Sequence, residues 1–146
     1  MCNVSAIICV DAELDESSVD DVDRCQESIV SQSRALLPAS YQGQTEHRVD
    51  KLREYLGLLG PGTRLIAVEH GNNLAVFFDC LTSSAVVSLR GQWGIRRLRH
   101  IVELIFTFLS GATSEVHIEG LAWPLTDYKR SLEFLSSMAG KQTVTD

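Results

Sequence analysis

No stretch of these 146 residues reaches the roughly 20 consecutive apolar positions that a membrane-spanning helix needs. The longest candidate, residues 101–109, is too short and is interrupted by Glu103. The first ten residues have no basic region ahead of their apolar stretch, so they read as a buried strand and not as a signal peptide. Cysteines stand at 2, 9, 25 and 80, with no CxxC pair, which fits free thiols and a cytoplasmic protein. The histidines, at 47, 70, 100 and 117, never fall at i, i+3 or i, i+4, so no zinc-ligand spacing is present and no metal or cofactor is expected. Gly60-Pro-Gly62 and Gly71-Asn-Asn73 lack the Lys-Ser/Thr and following helix of a phosphate loop, and read as turns. A general basic charge is missing too. The formal net charge is −6, which gives no drive toward nucleic acid.

What is present is an ordinary globular composition, 45% apolar and 22% charged, in a length suited to one domain. Charge is unevenly spread. Residues 11–27 carry Asp11, Glu13, Asp15, Glu16, Asp20, Asp21, Asp23 and Glu27 against Arg24 alone. A basic cluster, Arg90, Arg96, Arg97 and Arg99, lies beside His100. It reads first as a solvated helix face, and secondly as a contact for an acidic partner or for the acidic segment of the same chain.

Apolar strand residues at 65–69 and 74–80 flank a Gly/Asn turn and predict a β-hairpin. Residues 4–10 form a first strand with Ile7 and Cys9 on one face and Ile8 and Val10 on the other. Ser17 to Asp20 offers a capping box for a helix that Pro38 should end. A second helix over 46–59 stops at Gly60-Pro-Gly62. After the hairpin, Thr82 to Ser84 caps a long helix to about residue 109. Trp93 lies on its buried side, and Gly91 and Gly94 predict a break near it. Residues 115–119 alternate as a short strand with Val116 and Ile118 inward, and a last helix spans 127–138.

The order reduces to β-α-β-β-α-β with one extra amino-side and one carboxyl-side helix. That is an α+β, ferredoxin-like sandwich: a four-stranded antiparallel sheet with helices on one face. Residues 1–139 are one domain, and 140–146 read as a tail or the start of a linker. Cys80, in phase with Leu74, Val76 and Phe78, should be a buried, inert thiol; nothing in the spacing brings it to His70 or His100. The open sheet face should present Ile7, Cys9 and Phe77 with either Ile66 and Val68 or Leu65 and Ala67.

Residues 7–15 resemble the opening strand and strand exit of the N-terminal domain family of TNF-receptor-associated death-domain adaptors. The hairpin ending Phe78-Asp-Cys80 is similar to that family's second and third strands, where an aromatic precedes a cysteine. The long helix, short strand and Leu-rich last helix follow in the same order. The resemblance implies a non-enzymatic docking domain of cell-death or innate-immune signalling, with a TRAF-type domain as partner. It places the contact at Ile7, Cys9 and Val68, where Ile7 and Cys9 stand in place of aromatics. Two other functions share the topology. An RNA-recognition motif would stack bases on aromatics of its first and third strands, where this chain offers only Phe77. A regulatory plait would form a homodimer through its sheet.

Overall fold

The computed structural model describes residues 4–111 and 115–144, with side chains as far as Met138. The order is β1 (Ala6–Leu14), α1 (Val22–Tyr41), α2 (His47–Gly57), β2 (Thr63–His70), β3 (Leu74–Cys80), α3 (Ser83–Gly94), α4 (Arg97–Ser110), β4 (Ile118–Ala122) and α5 (Leu125–Val144). The strands pair antiparallel in the order β2-β3-β1-β4. This is the expected α+β sandwich with ferredoxin-like strand order.

One face of the sheet is packed. β1 buries Ala6, Ile8, Val10, Ala12 and Leu14, and β3 buries Leu74, Val76, Phe78 and Cys80, each at a period of two. The helices bury matching stripes, among them Ile29 and Leu37 of α1, Leu52 of α2, Val86 and Leu89 of α3, and Ile105 and Phe106 of α4. Each large side chain so buried contributes about 1.5–3 kcal/mol from apolar area alone.

Several boundaries differ from expectation, each for a local reason. β1 runs on to Leu14 because β4 pairs with residues 11–14, and the inward alternation continues through Ala12 and Leu14. The Ser17–Asp20 box does not open α1. Asp15 caps a single 3-10 turn at Glu16–Ser18, accepting from the Ser17 amide at 3.0 Å, and Asp21 caps α1 through the Arg24 amide at 3.2 Å. Pro38 does not end α1, which reaches Tyr41. Pro38 and Arg34 are both exposed, so the Arg34 carbonyl that loses its helical donor is free to meet water. Buried Leu36, Leu37 and Ser40 hold the last turn in place around it.

The break near Trp93 is real but lies just beyond it. Gly91 and Gly94 remain helical, and the chain turns at Ile95 and Arg96, where Arg96 takes a left-handed conformation with φ 67°. β4 begins at Ile118 and not at 115. The amides of Val116, His117 and Ile118 are held by Thr107 Oγ1, Ser18 Oγ and Glu103 Oε2 at 2.8, 3.1 and 2.7 Å, while Val116 and Ile118 face inward as expected. α5 starts at Leu125 and continues to Val144. Residues 140–144 continue this helix, while 145–146 lie outside the described residues.

The sides of the sheet are occupied. α1 packs along β2, and the Tyr41 hydroxyl donates to the Leu65 carbonyl at 2.8 Å. β4 covers only residues 11–14 of β1; where β4 ends, α5 begins and packs against β1 and α3. α5 is anchored by an aromatic cage. Arg90 of α3 lies 4.1 Å from the Trp93 ring centre and 5.2 Å from those of Trp123 and Tyr128, and its Nη1 donates to the Trp123 carbonyl. Trp123 meets Tyr128 edge-on at 5.7 Å, and Trp93 Nε1 donates to the Leu121 carbonyl at 2.6 Å. Trp93 is thus half-buried in this cage, joining α3 to β4, and not in the centre of the core.

Candidate docking surface

The second face of the sheet is organised by cross-strand register. One row across it is Arg64, Asp79 and Ile7; the next is Ala67, Phe77 and Cys9; the third is Glu69, Ala75, Asp11 and Ala122. Ile7 is 54% exposed, Cys9 is exposed, and Phe77, Ala67 and Ala75 are half-buried. α5 packs against β1 beyond the end of β4, and Ile7 and Cys9 remain exposed beside it. The middle of the face is a small apolar patch, and carboxylates stand around it.

Val68 does not belong to this surface. It is 1% exposed and pairs with Val76 in the core. The cause is a bulge between Leu65 and Ala67. One extra residue in β2 shifts the inward phase, so Leu65 and Val68 both point into the core, although they stand three positions apart. Ile66, at the bulge, is 38% exposed and borders a shallow depression with Ala67, Glu69 and Arg34. Neither simple alternation pattern for β2 holds; Ile66 and Ala67 are the outward pair. Strict period-two reading had no means of finding this, because Leu65 to Val68 is apolar throughout.

The expected basic surface also divides. Arg90 is half-buried in the aromatic cage and donates to the Trp123 carbonyl. Arg96 and Arg97 are exposed, with Arg97 Nη2 3.5 Å from the Leu58 carbonyl. Arg99 is half-buried beside a hollow lined by Trp93, Gly94 and Leu121. The Asp15 carboxyl is held below its usual range chiefly by the Ser17 hydroxyl and amide, with smaller help from His117 and Arg99.

Three cysteines are described, all free. Cys80 is fully buried, with Thr63 Oγ1 3.7 Å from its sulfur, at the end of the hairpin opposite His70. His70 instead faces Gln26, Nε2 to Oε1 at 2.8 Å. Burial pushes the Cys80 thiol up. Cys9 is raised first by partial desolvation, then by the charges of Asp11, Asp127 and Glu69. The thiolate is the reactive form, so a raised pKa lowers reactivity at neutral pH. A thiol reagent should modify Cys9 in the native protein more slowly than an unperturbed thiol, with the rate still climbing above the ordinary thiol range. Cys80 should react only after unfolding. Mass spectrometry of reagent-treated native protein checks both, and fast native labelling of Cys80 would contradict its burial.

A groove of about 390 Å³ lies on the helical side, lined by Tyr55, His100, Glu103, Phe108, Val116 and His117 among others. Glu103 is engaged there, accepting from the Ile118 amide and lying 3.4 Å from His117 Nδ1. Its described role is to fix the entry to β4. Among the described residues no cluster of His, Cys, Asp or Glu is arranged to hold a metal, and no helix is long and apolar enough to cross a membrane.

Comparison with protein families, with curated proteins and with solved structures gives no match. The fold defines an α+β plait with an open, carboxylate-bordered sheet face.

Proposed function

We propose that this chain is a non-enzymatic docking domain that binds another signalling protein through the open face of its sheet. The observation that carries the reading is Ile7, more than half exposed on a sheet face where Cys9 stands two positions along the same strand and Phe77 of β3 pairs with Cys9. A flat apolar patch suits a protein surface, whereas a small substrate needs a concave pocket. The family resemblance of the first strand and hairpin supports the same assignment, with a TRAF-type domain as the first partner to try and cytoplasmic cell-death or innate-immune signalling as the setting. The RNA-binding alternative is disfavoured by Asp11, Glu13, Glu69 and Asp79 on the strands of this face, where phosphates would be repelled.

Ile7→Asp and Phe77→Asp test the reading. Each places a carboxylate in the centre of the patch, where truncating an anchor alone costs about 2 kcal/mol or more, near 30-fold in affinity. Both variants should keep the wild-type circular dichroism and lose capture of a purified TRAF domain, or of the partner recovered from lysate. Unchanged capture by both folded variants would move the site off the sheet and make the Arg96–Arg99 region the next candidate.

A further inference from the structure

We infer that the partner presents a basic border around an apolar centre, and that neither a second copy of this chain nor an acidic surface fits. This rests on the docking reading above and adds the chemistry of the occupant.

The charge pattern of the face carries the inference. Its apolar centre is Ile7, Cys9, Phe77, Ala67 and Ala75. On the strands, Asp79 is paired with Ile7, Glu69 and Asp11 both flank Ala75, and Glu13 follows two positions beyond Asp11 on the same side of β1. Arg64 is the one basic residue these rows contain, and its guanidinium lies 4.1 Å from the Tyr41 ring centre, drawn toward α1. The neighbouring helices change the balance little. Asp127 of α5 adds a carboxylate 3.7 Å from Arg130, and Arg34 of α1 stands by Ile66 at the margin. Asp11 accepts from Asn73 Nδ2 at 2.9 Å, a neutral donor that leaves its charge uncancelled. One oxygen of Asp79 is buried with no donor among the described residues. The Cys9 thiol within the patch is raised first by its partial burial and then by Asp11, Asp127 and Glu69, three of these same carboxylates.

Two copies meeting through this face would be related by a two-fold axis, so the same carboxylate border would face itself. Like charges set opposite one another cost affinity and slow encounter, whereas Lys and Arg around an apolar knob would find a carboxylate on each side.

Two synthetic amphipathic helical peptides test this. They share one Leu/Phe stripe; one flanks it with Lys and Arg, the other with Glu. Each is titrated into the isotope-labelled chain and followed by backbone amide shifts. The basic peptide should move the amides of Ile7, Cys9 and Phe77 and bind about tenfold or more tightly than the acidic one. That gap should narrow between about 50 and 500 mM salt. It should also narrow in an Asp11→Asn, Glu69→Gln double variant, which keeps the side-chain shapes. Equal binding of both peptides at Ile7, Cys9 and Phe77 would overturn the basic-partner inference and leave the docking face standing. Amide shifts confined to other surfaces, or no binding by either peptide, would overturn both. A dimer in sedimentation of the free chain that Ile7→Asp dissociates would identify a second copy as occupant and overturn the inference.

Discussion

Trp123→Ala is expected to cost about 3–5 kcal/mol, the usual range for removing a buried tryptophan. Trp123 is 2% exposed, stands edge-on to Tyr128 and forms one wall around Arg90. Removing the indole leaves a cavity, takes one aromatic face from the guanidinium, and frees the first turn of α5 from the plait. A domain of this size is stable by about 5–15 kcal/mol in total, so the loss should appear as a large fall in the urea midpoint. Trp123→Phe should lose less, since a ring still fills much of the space. Arg90→Met separates packing from charge. It keeps a long stem among the rings but leaves the Trp123 carbonyl without its donor, at about 1–3 kcal/mol. An unchanged urea midpoint for Trp123→Ala would mean that this cage does not anchor α5.

The second large effect concerns β2. Val68→Asp should abolish cooperative folding or come close to it, because it places a carboxylate with no partner against Val76 in the core, at a cost of several kcal/mol. Ile66→Asp, two residues away, should stay within about 1 kcal/mol of the parent, as exposed substitutions usually do. Thermal unfolding by circular dichroism distinguishes them in one experiment. If Val68→Asp folded normally and Ile66→Asp did not, the bulge would be absent and β2 would run in the other phase.

The same pair shows where reading the sequence reached its limit. Strands were legible where the period of two ran unbroken. β3 buries alternate residues from Leu74 to Cys80, although Ala75 and Phe77 make its outward side partly apolar, and Thr82 caps α3 through the Ala85 amide at 3.1 Å. Ile7, Cys9 and Phe77 were assigned to the open face by that alternation, and the structure places them there. Over 65–68 every side chain is apolar, so the pattern held no phase information, and hydrogen-bond register decided the outcome. Acidic residues misled in the opposite direction. Asp11 fell on the Ile7 and Cys9 side by alternation, but Glu13 lay beyond the expected end of the strand at Val10, and both are outward positions of β1. Arg90 looked like the start of a basic surface because a one-dimensional cluster does not show that Trp93, Trp123 and Tyr128 converge from α3, the loop after β4 and α5. Asp79 and Glu69 became part of the site only once the pairing of β3 with its neighbours was known.

The occupied sides of the sheet carry a consequence for assembly. An exposed strand edge is a template onto which further chains can add indefinitely. Here α1 lies along β2 with Tyr41 on the Leu65 carbonyl, β4 is only five residues long, and α5 packs against β1 beyond it. Backbone-templated growth therefore has little purchase, and on the docking reading proposed above recognition falls to the side chains of one finite face. Such a module has a valency of one on that face. A complex built on it closes at fixed stoichiometry, and any larger array has to draw its multiplicity from the partner.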